Sequence, residues 1–148
     1  LSRIALPATF RKTARRDRET PVRTGGNYTD RRSVMEARLF DLKQMVRFDA
    51  APQKVAVYAT DKSLGAMWCL EPRQEVFLHR HPNADDVWIC LEGDAGLYFA
   101  GNGQEIPIRK GMAVLARVGE THGMRNTGKE RFIFIGVAAP VPVEVEKL

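Results

Sequence analysis

From residue 54 onward the chain breaks into short runs of apolar and β-branched residues separated by turn signals. Lys54–Thr60 alternates between apolar and polar positions, the period of a strand with one buried face. Leu64–Leu70 is a short apolar run. Val76–His81, Val87–Leu91, Gly96–Ala100, Glu105–Ile108, Met112–Arg117, His122–Asn126 and Phe132–Ala138 continue the series. Between them lie Glu71-Pro72-Arg73-Gln74, the loop His81–Asp85, Glu92-Gly93-Asp94 and the hairpin sequence Gly101-Asn102-Gly103. Many short strands with a turn about every 8–12 residues predict an all-β sandwich or barrel. The chain shows no internal repeat and no low-complexity segment.

Upstream of residue 54 the pattern changes. Residues 33–46 read two ways. Ser33-Val34-Met35-Glu36 fits a helix capping box, with Met35, Leu39, Leu42 and Val46 on one helical face. Ala37–Leu42 reads equally well as an edge strand. Residues 1–32 are rich in Arg, Thr and Gly, with a turn signal at Gly25-Gly26-Asn27, and predict an extended arm. We therefore divide the chain into an N-terminal arm, residues 1–35, and one domain, residues 36–148. A length of 148 residues suits one core.

Charge sharpens this division. The chain carries a net +5, but nine of its 23 Lys and Arg and only three of its 18 Asp and Glu fall in residues 1–32. The other 116 residues hold 14 basic and 15 acidic groups and are close to neutral. The basicity belongs to the arm, which can attract an anionic partner or wrap a neighbouring subunit. It has little aromatic interleaving and matches no nucleic-acid module, so no nucleic-acid partner is expected. No apolar run approaches the roughly 20 residues of a membrane span, and the first residues lack the pattern of a secretory signal. Two cysteines, Cys69 and Cys90, form no disulfide framework and read as reduced thiols of a cytoplasmic protein.

The three histidines carry the chemistry. His79-Arg80-His81 places two imidazoles two residues apart, on one face of a strand. Asp86 opens the next strand after a loop. Antiparallel neighbours lie about 4.8 Å apart, so a carboxylate on an adjacent strand can reach the same ion. His122 lies at the start of a late strand, where a barrel can bring it across. Three imidazoles and one carboxylate suit Mn, Fe, Co, Ni or Zn as a divalent ion. Four protein ligands on a six-coordinate metal leave room for substrate, water or dioxygen.

These residues fall in two spaced motifs that resemble those of the cupin superfamily. His79 and His81 supply the HxH of the first motif, four residues lead to Asp86, and six more lead to Gly93. The stretch Gly111–Asn126 resembles the second motif, with Gly111, Gly119, His122 and Asn126 in the matching places. The resemblance covers about residues 36–140. It implies a double-stranded β-helix (jelly-roll) barrel, here with an extended basic N-terminal arm, and His79, His81, Asp86 and His122 as metal ligands, with Mn or Fe the leading metals. Three positions depart from the pattern: Arg73 stands for a Gly, Arg117 for a Pro, and Asp86 for the ligating Glu. The shorter Asp86 can ligate after a small strand shift, act through water, or leave three His alone, with Asp85 as the substitute. If Asp86 faces the interior, so do Trp88 and Cys90. Trp88 and Met124 are then expected to line a substrate pocket. Cys90 is either a small core residue or a thiol placed to take part in chemistry beside the metal. Arg117 and Arg125 are either solvated charges or contacts for an anion.

The resemblance leaves three functions open, because cupins share a fold more than an activity. The first is a metal-dependent isomerase, lyase or group-transfer enzyme acting on a small oxygenated metabolite, phosphorylated or not. The single-domain cupins that act on methylthio-xylulose phosphate are the nearest specific resemblance within it. The second is a non-haem Fe(II) dioxygenase. The third is a ligand-binding or sensor barrel without turnover. A small-molecule partner, no membrane and a homodimer are expected.

Overall fold

A computed structural model describes residues 38–148 of the chain. The basic arm and the capping box at Ser33–Glu36 lie outside the described residues. A single helical turn, α1 (Leu42–Met45), is the only helix among them and is capped by Asp41, whose side chain accepts the Lys43 amide at 3.1 Å. Over the described part of residues 33–46, neither reading holds as expected: residues 38–41 are neither helix nor strand, and one helical turn forms only at Leu42–Met45. The turn serves as a lid: Phe40, Leu42, Met45, Val46 and Phe48 pack over Val57, Met67, Cys69 and Ile133 on the outer face of a sheet.

Ten strands follow: β1 (Gln53–Ala59), β2 (Leu64–Leu70), β3 (Glu75–Arg80), β4 (Asp85–Glu92), β5 (Gly96–Ala100), β6 (Glu105–Ile108), β7 (Ala113–Ala116), β8 (His122–Asn126), β9 (Phe132–Ala139) and β10 (Glu146–Lys147). They form two five-stranded sheets, β1-β2-β9-β4-β7 and β10-β3-β8-β5-β6, with every pairing antiparallel. The chain crosses between the sheets at almost every turn, which rolls them into a jelly-roll barrel. The inner faces close on Leu70, Val76, Trp88, Cys90, Tyr98, Ile108, Met124, Phe132 and Phe134.

Turns carry the sequence's departures from the family pattern. Gly93 has φ 106°, and a Cβ there would come within 2.5 Å of the Phe132 ring, so its glycine is required twice over. Arg73, where the pattern has glycine, keeps the left-handed backbone at φ 71°. Arg117 replaces a proline and uses the amide that proline lacks, donating it to Glu120 Oε2 at 2.8 Å. Asn126 is a structural knot. Its Nδ2 donates to Leu70 O at 3.2 Å and Glu130 O at 2.8 Å, and its Oδ1 accepts the Gly128 amide at 3.0 Å.

Candidate metal centre

A bulge decides which way the histidines face. Val76 and His79 both point inward although they are an odd three positions apart, because the β3–β8 register shifts between them. An unbroken strand with Val76 inside would have turned His79 and His81 to solvent. Beyond the bulge His79 pairs directly with His122 on β8, and their rings lie 4.4 Å apart between centroids. His81 follows β3, and its ring lies 5.1 Å from that of His79 and 5.3 Å from that of His122.

The carboxylate arrives differently from the sequence expectation. Strand β4 does not neighbour β3; it belongs to the facing sheet, paired with β7 and β9. The loop after His81 carries the chain from one sheet to the other. Asp86 thus closes the cluster from across the barrel, with His81 Nε2 at 3.4 Å and His122 Nε2 at 3.7 Å from Oδ2. One ligand atom from each of the four residues lies within 4.8 Å of all the others, and all four residues are buried. Asp85 points away, its Oδ1 accepting the Val118 amide at 2.9 Å.

The hydrogen bonds around the rings set their chemistry. Each Nδ1 faces a backbone carbonyl: Phe77 O at 2.9 Å from His79, Glu144 O at 2.7 Å from His81, and Glu120 O at 2.9 Å from His122. Donation from Nδ1–H leaves each neutral ring with its Nε2 lone pair free. Trp88 Nε1 donates to Asp86 Oδ2 at 2.8 Å and fixes the carboxylate. Among the described residues, Asp86 Oδ1 and His122 Nε2 have no hydrogen-bond partner although both are buried. Two orphaned acceptors in one buried cluster cost several kcal/mol unless a hydrogen-bond donor or a cation meets them, and beside two further imidazoles a cation meets all of them at once. The donor set therefore fits a divalent ion.

Titration behaviour points the same way. Burial pushes His79 down to about 4, with the Phe77 carbonyl opposing and its neighbour rings adding, so it is neutral at pH 7. Burial also disfavours the charged form of His81, but Asp86 and the Glu144 carbonyl outweigh it and raise the ring above its ordinary value. For Asp86, burial alone would raise the carboxyl. The His122, His81 and Trp88 groups turned toward it win and hold it well below the usual carboxylate range.

Trp88 and Met124 are inward-facing but do not line the open space beside the cluster. Both are buried in the core, Trp88 at 2% and Met124 at 0% exposure, and the Trp88 ring packs against His122 at 5.0 Å. The open space is a cavity of about 150 Å³, walled by Lys54, Leu64, Ala66, Trp68, Gly136 and Ala138 and meeting His81 and Asp86. Sequence reasoning missed these residues. The signal was the alternation of β2 and β9, whose inward positions shrink from Trp68 to Ala66 and from Phe134 to Gly136. A larger cavity of about 400 Å³ opens beside Tyr98, Ile106, Val114 and Arg117, but none of the four clustered residues lines it.

Cys90 is also inward-facing, yet it is not brought to the cluster. It lies four positions along extended strand from Asp86, roughly 13 Å. It lies among the apolar core residues, its Sγ near Glu92 O at 3.6 Å, and burial pushes the thiol up to about 11. A metal-side cation that would lower it is out of reach. Arg117 and Arg125 lie on the surface, paired with Glu120 at 3.6 Å and Glu75 at 2.7 Å.

The chain is similar in sequence and fold to known proteins. The cupin domain family matches residues 66–138. A crystal structure from Klebsiella pneumoniae, of an uncharacterized conserved protein with a double-stranded β-helix domain, is 33% identical. The similarity covers 76% of this chain and 97% of that one, with a TM-score of 0.72. TT1209 from Thermus thermophilus is 31% identical over 72% of this chain and 98% of its own, with a TM-score of 0.64. An oxalate-binding protein from Thermotoga maritima is 32% identical over 68 residues, which make up 46% of this chain. The match spans about half, 54%, of that relative's length.

Proposed function

This chain belongs to the cupin family, and on that footing we propose that it is a mononuclear metalloprotein whose divalent ion binds a small, oxygen-rich anion, a carboxylate first of all. His79, His81, Asp86 and His122 hold the ion. The observation that carries this is the pair of unpartnered buried acceptors, Asp86 Oδ1 and His122 Nε2, inside a ring of imidazoles whose Nδ1 atoms are all engaged elsewhere. Such an ion supplies Lewis acidity to an oxygen ligand.

The protein's own groups select the ligand. Among the described residues, Lys54 is the one Lys or Arg that lines the cavity, and its Nζ lies 5.4 Å over the Trp68 ring. An ammonium at the mouth of a small apolar cavity favours an anion. About 150 Å³ admits only a few heavy atoms, since a water occupies roughly 30 Å³. Leu64, Ala66, Trp68 and Ala138 exclude water around it. The name of the Thermotoga relative, an oxalate-binding protein, supports a small carboxylate here as well. With the two cysteines free, a reducing cytoplasm is the proposed setting.

Among metal-dependent enzymes, this reading favours chemistry in which the metal-bound ligand needs at most one proton relay, for among the described residues Lys54 is the only cavity-lining titratable group outside the ligand cluster. The same observation favours a second reading, binding without turnover. The thiol-transfer variant draws no support from Cys90, which lies among the apolar core residues away from the cavity.

The test starts from metal-stripped protein. It is reloaded with Mn(II), Fe(II) or Zn(II), then titrated with oxalate, malonate and a neutral diamide of matching size. Oxalate or malonate should bind only to the loaded protein, and Lys54→Met should weaken that binding about tenfold without changing metal affinity. Equal anion binding with and without metal, or none at all, sinks the proposal. Incubation of the loaded protein with each acid, with and without oxygen, separates turnover from binding and oxygen-dependent from anaerobic chemistry.

A further inference from the structure

The three imidazoles are not held in the same way. His79 and His122 each find an acceptor two residues back in the chain, at Phe77 O and Glu120 O. The acceptor of His81 is Glu144 O, 63 residues further on. Two rings are oriented locally, and the third depends on the last segment of the chain.

That segment is clamped by one side chain. Asn83 Nδ2 donates to Pro142 O at 2.7 Å, and Asn83 Oδ1 accepts the Glu144 amide at 3.0 Å. The two bonds bracket Val143 and fix the backbone immediately before the Glu144 carbonyl, which faces His81 Nδ1. Asn83 lies in the same crossover loop that has His81 at one end and leads to Asp86 at the other. Beyond the clamp, β10 pairs with β3, and Arg80 meets Glu146 at 2.6 Å. Val143 and Val145, on either side of Glu144, wall the cavity beside the cluster.

We propose that Asn83 is a positioning residue for His81, acting through residues 142–145, and that this clamp sets how tightly the cluster holds its ion. The inference rests on the metal reading above. It also has a consequence that needs no metal: without the clamp, the His81 ring loses its reason to keep the proton on Nδ1. Removing such an outer partner costs roughly 10–100-fold in metal affinity.

The experiment uses the full chain with Asn83→Ala, Asn83→Asp and Glu144→Ala. In metal-free protein at pH 8, long-range ¹⁵N–¹H correlation spectra report the tautomer of each ring. Asn83→Ala should move His81 from the Nδ1–H form to a mixture and leave His79 and His122 unchanged. Zn(II) affinity, measured by competition with a chelator, should fall 10-fold or more. Asn83→Asp keeps the acceptor for the Glu144 amide and loses the donor to Pro142, so it should fall in between; it also serves should Asn83→Ala not fold. Glu144→Ala keeps both backbone groups and should stay within twofold of the parent. An Asn83→Ala protein with an unchanged His81 tautomer and affinity within twofold overturns the clamp. If the parent binds no Zn(II), the metal reading fails, and the tautomer of His81 alone decides the clamp.

Discussion

Strand β4 sends Asp86, Trp88 and Cys90 inward one after another, and the two ends of that short series meet opposite surroundings. At one end the neighbours are His79, His81 and His122, with Gly136 and Ala138 leaving space. At the other they are the apolar side chains of Leu70, Val76, Ile108, Phe132 and Phe134. Both ends are built from the same strands with the same inward parity. Parity determines which side chains enter the barrel, and distance along the strand determines the chemistry they meet. The aromatic residues fill the closed end so that small residues at the other can leave a cavity next to buried acceptors.

The closed end carries the larger share of the stability. Phe134 is 0% exposed, and Phe134→Ala should cost about 3–5 kcal/mol in urea unfolding. Metal bound per folded molecule should stay the same; a parallel loss of metal would mean that the two ends are not separable. At the ligand end, Asp86→Asn keeps volume and polarity but removes the charge. It should lower Zn(II) affinity by about 100-fold or more, exceeding the loss of an outer partner, while the far-ultraviolet circular dichroism spectrum stays that of the parent.

Acid distinguishes the ends as well. His79 is held down at about 4, against the ordinary 6.5, so between those values the unfolded chain takes up a proton that the folded chain refuses. Its contribution is complete above pH 6.5 and is lost as pH falls toward 4, a change on the order of 3 kcal/mol. His81, raised by Asp86, works the other way: its contribution is present below pH 6.5 and is lost as pH climbs through its folded value. The metal-free protein should therefore lose less than His79 alone dictates between pH 7 and pH 5. The loaded protein should lose more, since protons compete with the ion for every imidazole. Chemical denaturation at the two pH values, with and without Zn(II), measures both slopes. Equal slopes would remove the imidazoles from the site.

Gly136 is the point where the ends touch. A Cβ there would lie 3.2 Å from Asp86 Oδ1 and 3.1 Å from the Trp88 ring. Gly136→Ala should crowd the unpartnered carboxylate oxygen and lower metal affinity about tenfold, with little change in the unfolding midpoint.

The sequence exposed the strands and the four clustered side chains because both are written in local spacing: period two, and the two histidine-bearing motifs. What it hid was set by pairing across the barrel. The β3 bulge that turns His79 inward has no residue signature of its own. That Asp86 reaches the cluster from the facing sheet, rather than from a neighbouring strand, depends on where the His81–Ala84 loop crosses. Parity rightly put Cys90 inside but could not say how far along the barrel it sits. Lys54, Asn83 and Glu144 were invisible for the same reason: each meets the site only through strands or segments distant in sequence.

Arg73 offers the finest test, because it sits at the closed end, where the Gln74 turn joins β2 to β3. Its amide donates to Asn126 O at 2.9 Å, and its backbone is left-handed at φ 71°. A Cβ in that conformation costs about 1–2 kcal/mol. Glycine removes the cost but adds about 0.5–1 kcal/mol of backbone entropy to the unfolded chain. Arg73→Gly should therefore stabilise the protein by about 0.5–1 kcal/mol, read as a higher urea midpoint with an unchanged slope. Because the turn lies at the far end of β3 from His79, Zn(II) affinity should not move. Destabilisation by Arg73→Gly would show that the exposed arginine side chain contributes more here than the strain it imposes. A change in Zn(II) affinity would show that the β3 bulge transmits this turn's geometry to the histidines, and the division of the barrel into two independent ends would fail.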